Sequence, residues 1–104
     1  MIRKTFNRIR GWFSSSYSIV EMLEDPINPR KENLYLIGEK DDPYFLIMLC
    51  PCGCLSVIKL SLLNDDSPNW IIFLDKKITL YPSIWRKIGC ESHFWVKKGK
   101  IYWC

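Results

Sequence analysis

The tightest constraint on this chain is a run of alternating cysteines, Cys50-Pro51-Cys52-Gly53-Cys54, followed later by Cys90-Glu91-Ser92-His93, which holds the only histidine among 104 residues. Cysteines so close in sequence do not present the Cα separation and Cβ directions that a disulfide needs. With Cys104 the count is five, and an odd number argues against a disulfide framework. The N-terminus opens on charges and lacks the apolar stretch and small-residue cleavage site of a secretory signal. The expected location is therefore the cytoplasm, where thiols stay reduced. Soft thiolates and an imidazole gathered at two turns are the ligands of a tetrahedral zinc or of an iron–sulfur centre. We expect a metal site drawn from Cys50, Cys52, Cys54, Cys90 and His93, with two ligands from each turn. Which two of the first three cysteines bind is open, although Cys52 can pair with either neighbour. Cys104 reads as a free thiol.

Size makes such a site valuable. A domain of this length buries only about two-thirds of its unfolded surface, and closing the loop between the two turns around a structural metal contributes several kcal/mol. That is comparable with the whole stability of a small domain. Pro51 and Gly53 let the first turn curl so that backbone amides can point at sulfur.

Most of the chain reads as strands. Runs of β-branched and aromatic residues bounded by turn residues cover 17–22, 34–39, 44–50, 55–63, 70–74, 78–81, 93–97 and 100–103. Lys40-Asp41-Asp42-Pro43, Asp75-Lys76-Lys77 and Lys98-Gly99 have the composition of hairpin turns. Pro26 and Pro29 stiffen the connection after the first strand. Residues 83–88, entered after Pro82, read as a short helical turn. Ahead of the strands, Ile2, Phe6, Ile9 and Phe13 recur at helical spacing with Arg3, Lys4, Arg8 and Arg10 on other faces. The expected architecture is mainly β: a small antiparallel β domain over residues 17–104 with a metal site between two turns, plus an N-terminal helical arm, a basic amphipathic segment over residues 1–16.

Charge is segmented along the chain. Residues 17–75 carry four bases against ten acids, whereas residues 76–104 carry seven bases against Glu91 alone. The ordinary reading is solvated faces that fold back on each other; the sharper one is that the basic ends meet an acidic partner. The apolar runs at 44–50 and 70–74 fall far short of the roughly 18 to 20 residues that cross a bilayer, so no transmembrane anchor is expected. Fifteen aromatic residues could serve as base-stacking platforms, but those in strands have an ordinary place in the core or on a half-buried sheet face.

Between metals, zinc suits a redox-silent β domain. Cys90-x-x-His93 resembles half of a Rieske site, which needs a second histidine, and the CDGSH pattern has one more residue between its last Cys and its His. An enzyme reading would make Cys90 and His93 nucleophile and base, but neighbours on one short turn seldom align for that work. A zinc with an open position has only Glu91 nearby as a base. No phosphate-cradling loop or dinucleotide fingerprint occurs.

Leu49-Cys50-Pro51-Cys52-Gly53-Cys54, Leu80-Tyr81-Pro82-Ser83-Ile84-Trp85, Cys90-Glu91-Ser92-His93-Phe94-Trp95-Val96 and the final Ile101-Tyr102-Trp103-Cys104 together resemble the pattern of a family of short bacterial proteins. The likeness runs from about Leu34 to Cys104, with Leu55 standing where the pattern has glycine. It implies a metal-binding β domain whose genes lie beside bacterial ubiquitin-like conjugation operons, some of which act in phage defence. Cys50, Cys52, Cys54, Cys90 and His93 are the positions it carries over. The resulting expectation is a non-catalytic, zinc-binding adaptor for protein–protein recognition, its partner a ubiquitin-like protein or a conjugating enzyme. The alternatives are a redox protein with a 2Fe-2S cluster and a zinc-dependent nucleic-acid-binding module.

Overall fold

A computed structural model describes residues 16–39, 41–75, 77–87 and 89–104. Nine strands follow one another: β1 Ser18–Met22, β2 Asn33–Glu39, β3 Asp42–Leu49, β4 Val57–Ser61, β5 Ile71–Leu74, β6 Ile78–Tyr81, β7 Ile84–Trp85, β8 His93–Lys97 and β9 Lys100–Trp103. They form a four-stranded sheet in the order β1-β2-β3-β4, a two-stranded sheet β5-β6 and a three-stranded sheet β7-β8-β9.

Cross-strand stacking explains the first sheet. Leu36 lies opposite Leu46, and Leu46 opposite Leu60, while Met48 faces Ile58. These rows point to one side, where they meet Ile78 and Leu80 of β6, Ile84 of β7 and Phe94 and Val96 of β8 in the main core. Strand alternation sends Tyr35, Ile37 and Ile47 to the opposite side, where Val20, Met22 and Phe45 partly cover them. Register at the β2–β3 hairpin shifts at Gly38. A Cβ there would sit 2.8 Å from the Tyr44 amide nitrogen, and φ is +142°, so the bulge requires glycine.

Three expectations change. The fold is all-β among the described residues, with no helix, which corrects the mixed reading with a helical arm; the segment assigned to that arm, residues 1–15, lies outside the described residues. The helical turn expected over 83–88 is not formed among its described residues, 83–87, because Ile84 and Trp85 pair with β8 as a short strand whose apolar Ile84 enters the core. The sheets are also not purely antiparallel: β1 runs parallel to β2 with Ile19 opposite Leu34. Among the described residues no helix is long and apolar enough to cross a membrane.

Leu46 sits at the centre of the packed rows and is fully buried. Leu46→Ala is expected to lower stability by about 3 kcal/mol through lost burial and the cavity left behind, measured as a shift in the urea midpoint at unchanged slope.

Candidate functional site

Two loops meet at the end of the main core. The first leaves β3 at Leu49 and is closed by Cys50 N donating to Ser56 O at 2.8 Å and Gly53 N donating to Cys50 O at 3.3 Å. Gly53 has φ +97° and Leu55 φ +65°, so this turn passes twice through the left-handed region, and a glycine at position 55 would be free of the strain that Leu55 carries. The second loop joins β7 to β8 and is closed by Arg86 N donating to Ser92 O at 2.7 Å.

These closures bring four sulfurs together. Cys50, Cys52, Cys54 and Cys90 have Sγ atoms all within 4.8 Å of one another. Cys50 Sγ lies 3.4 Å from Cys52 Sγ and 3.5 Å from Cys90 Sγ. A tetrahedral ion with Zn–S bonds of about 2.3 Å separates its sulfurs by roughly 3.8 Å, so the group has the right donors at nearly the right span. Cys50 is buried and the other three are exposed, which leaves an approach from solvent.

Polar groups around the sulfurs favour thiolates. The buried Ser92 hydroxyl stands 3.0 Å from Cys90 Sγ, and with the Ser92 amide it holds the Cys90 thiol below its ordinary range. The Ser56 hydroxyl, 3.3 Å away, and the Ser56 amide pull Cys54 down to about 6. A bond to Ser92 pulls Cys52 down, but proton sharing with Cys54 and Cys50 outweighs it and pushes Cys52 up to about 11. Crowded thiols cannot all give up their protons until a cation joins them. Arg86 adds a positive charge, with Nη1 3.8 Å from Cys54 Sγ and 3.7 Å from Cys90 Sγ.

His93 is not among the residues brought together at the sulfurs. Its Nε2 lies 2.9 Å from Ser83 Oγ, and its ring stacks on Trp85 with centroids 5.1 Å apart and planes 15° from parallel. Alternation accounts for this. Trp85 pairs with His93 and Ile84 with Phe94; since Ile84 and Phe94 fill the core, Ser83, Trp85 and His93 share the outer face. Trp70 Nε1 donates to Ser83 O at 3.4 Å and Cys104 N donates to His93 O at 3.0 Å, fixing the backbone on both sides of the pair. A helical turn over 83–88 would hide this shared face, so the sequence reading does not bring Ser83 to His93. The available signal was the matching alternation of Ser83-Ile84-Trp85 and His93-Phe94-Trp95.

A serine hydroxyl against an imidazole nitrogen can activate the hydroxyl as a nucleophile. A family model described as "Bacterial ubiquitination-like system serine protease (BubE)" matches residues 19–104. No curated protein and no solved structure matches the chain. The match bears out the likeness to proteins of ubiquitin-like conjugation systems and corrects the non-catalytic reading, since the family is described as a protease. Cys90 and His93 flank one short turn, whereas Ser83, just ahead of β7, meets His93 from the neighbouring strand.

Arg86 is the charged neighbour of the sulfur cluster. Arg86→Ala is expected to weaken metal retention about 10- to 100-fold, the usual cost of losing an outer partner, measured by competition with a colorimetric chelator.

Proposed function

The chain belongs to the family of bacterial ubiquitination-like system serine proteases, and we propose that Ser83 is its nucleophile and His93 its general base. The observation that carries this reading is the 2.9 Å approach of Ser83 Oγ to Nε2 of the only histidine in the chain. As Oγ attacks the scissile carbonyl carbon, His93 Nε2 accepts the hydroxyl proton and then passes it to the leaving nitrogen. An ester to Ser83 remains; water attacks its carbonyl carbon while giving a proton to His93 Nε2, the ester C–O bond breaks, and Ser83 Oγ recovers that proton from Nε2. Stacking on Trp85 fixes the imidazole plane. The substrates we assign are ubiquitin-like proteins, cut as precursors or released from conjugates.

The four thiolates of Cys50, Cys52, Cys54 and Cys90 are assigned a structural zinc. Four sulfur donors complete a tetrahedral shell with no open position, and proteolysis by serine needs no electron carrier. The chemistry the ion supplies is cross-linking, since Cys90 lies in the loop between Trp85 and His93. His93 belongs to the catalytic pair in this reading, which separates the two sites and makes them independently testable.

Ser83→Ala is expected to lose cleavage of the ubiquitin-like substrate by at least about a thousandfold while keeping its fold and one zinc per chain. A fluorophosphonate should label Ser83 in the unaltered protein and leave His93→Ala unlabelled, with mass spectrometry locating the adduct. Cys52→Ser should lose both zinc and labelling. Labelling at another serine sinks the assignment, and visible absorption with bound iron in anaerobically purified protein replaces zinc by a cluster.

A further inference from the structure

The sheet that holds Ser83 and His93 presents more than these two side chains on its outer face. Phe94 and Val96 of β8 are buried, so His93, Trp95 and Lys97 line the outside. Trp95 pairs with Tyr102 of β9, and Lys97 with Lys100. Tyr81 closes the other side, its ring 6.0 Å from that of Trp95. Tyr81, Trp85 and Tyr102 are each about half exposed. The result is an aromatic floor that begins at the imidazole and ends at two lysines.

The lysine end is built and held. Lys97 Nζ stands 5.0 Å from the Trp95 ring centroid and 5.9 Å from that of Tyr102. Directly opposed like charges destabilise a strand pair, yet this pair is fixed by its turn. Gly99 N donates to Ile78 O at 2.7 Å, Tyr17 N donates to Gly99 O at 2.7 Å, and Lys98 N donates to Thr79 Oγ1 at 2.9 Å. Among the described residues, neither lysine has a carboxylate partner; the ion pair found there joins Lys59 to Asp25. Asp75 lies at this end of the molecule, in a cavity it lines with Lys77, Thr79 and Lys98, and among the described residues it forms no ion pair with Lys97 or Lys100.

We propose that this outer face is the substrate platform of the site, and that it selects an extended peptide segment with a carboxylate about four residues from the scissile bond, the distance in strand steps between His93 and Lys97. The proposal rests on the Ser83–His93 reading. An extended substrate advances about 3.3 Å per residue, the same rise as β8, so its side chains keep step with the face. Those next to the cut bond meet Trp85 and Trp95. A carboxylate about 13 Å along reaches the Lys97–Lys100 pair, where it relieves the lysine–lysine repulsion as well as gaining its own attraction. Selectivity of this kind is a difference between substrates, since a lysine at the same position would meet two like charges.

The test uses full-length Ser83→Ala protein, which holds peptide without cutting it, and a series of decapeptides of Gly, Ser and Leu with a single Glu or Lys moved through every position. Binding is followed by tryptophan fluorescence, and the bond cut by the unaltered protein is located by mass spectrometry. The expected result is that Glu binds about tenfold tighter than Lys at one register, four positions from the cut bond. Lys97→Glu with Lys100→Glu should invert that preference while leaving zinc content unchanged. Equal affinity for Glu and Lys at every position, or a preference that survives the double reversal, overturns the platform. Failure of the catalytic reading looks different: Ser83→Ala would still cut the peptides, while the binding comparison would continue to decide the role of the face.

Discussion

The approach of Cys90 to Cys50, two thiols 40 positions apart with their sulfurs 3.5 Å from each other, is the contact on which the rest of the site depends. Strand β7 contains two residues, and beyond its pairing with β8 the loop between them is closed, among the described residues, by the backbone bond from Arg86 N to Ser92 O. So short a ladder is weakly held by itself, since a hairpin in water is marginal even at greater length. The sulfur cluster ties this loop to the end of β3, an interior strand of the large sheet. Binding energies of about 10 to 16 kcal/mol for structural zinc in small peptides exceed most of what a domain of this size has in reserve. A zinc held by the four thiolates would, at that strength, turn a two-residue strand into a fixed platform.

The same sheet divides two tasks by alternation. Ile84, Phe94 and Val96 anchor it through the core, and each intervening residue is thereby presented outward. Ser83 and His93 meet because one pair of strands is in one register; a slip by one residue would bury the imidazole and expose Phe94. The stacked Trp85 ring and the backbone bonds to Ser83 O and His93 O restrict the remaining freedom. Precision at the pair thus comes from burial on the other side of the sheet and from the metal loop at its end.

How much of this could be read from residues alone differs by level. The strand runs were visible because β-branched and aromatic residues alternate between turns rich in Asp, Pro and Gly, and the hairpins at 41–42 and 98–99 follow from the same chemistry. The parallel pairing of β1 with β2 was not visible, because periodicity shows which face is apolar and carries no information about the direction of the neighbour. Four of the five proposed metal positions cluster. His93 differs because its spacing of three from Cys90 looks like a ligand bite only if both residues lie on one turn. In fact the loop ends at Ser92 and β8 begins at His93, so the thiol turns toward the sulfurs while the ring follows strand alternation to the other face. Ser83 was hidden by the same boundary problem, as a two-residue strand leaves too short a pattern to distinguish from a helical turn.

Charge distribution gives the two ends of the molecule different characters, and the location of each follows from the strand order. Most acids of residues 17–75 belong to the large sheet and its connections, with Asp75 on the β5–β6 turn, whereas Arg86 follows β7 and Lys97, Lys98 and Lys100 fall on the β8–β9 hairpin. A positive field at the β8–β9 end attracts carboxylate-bearing chains before any contact is made, and the effect declines with ionic strength. Arg86 cannot contribute much to that attraction, because its guanidinium is already directed at the Cys54 and Cys90 sulfurs. Its charge is taken up by the thiolates, and a zinc with four thiolate ligands would still be dianionic. Lys97, Lys98 and Lys100 are different. They sit beyond the aromatic floor, on a turn fixed to β6 by Gly99 and Lys98, away from the sulfur ligands in the chain's order. The sulfur cluster therefore engages the cation nearest to it and leaves the lysines at the far end of β8 to act on whatever lies along the sheet.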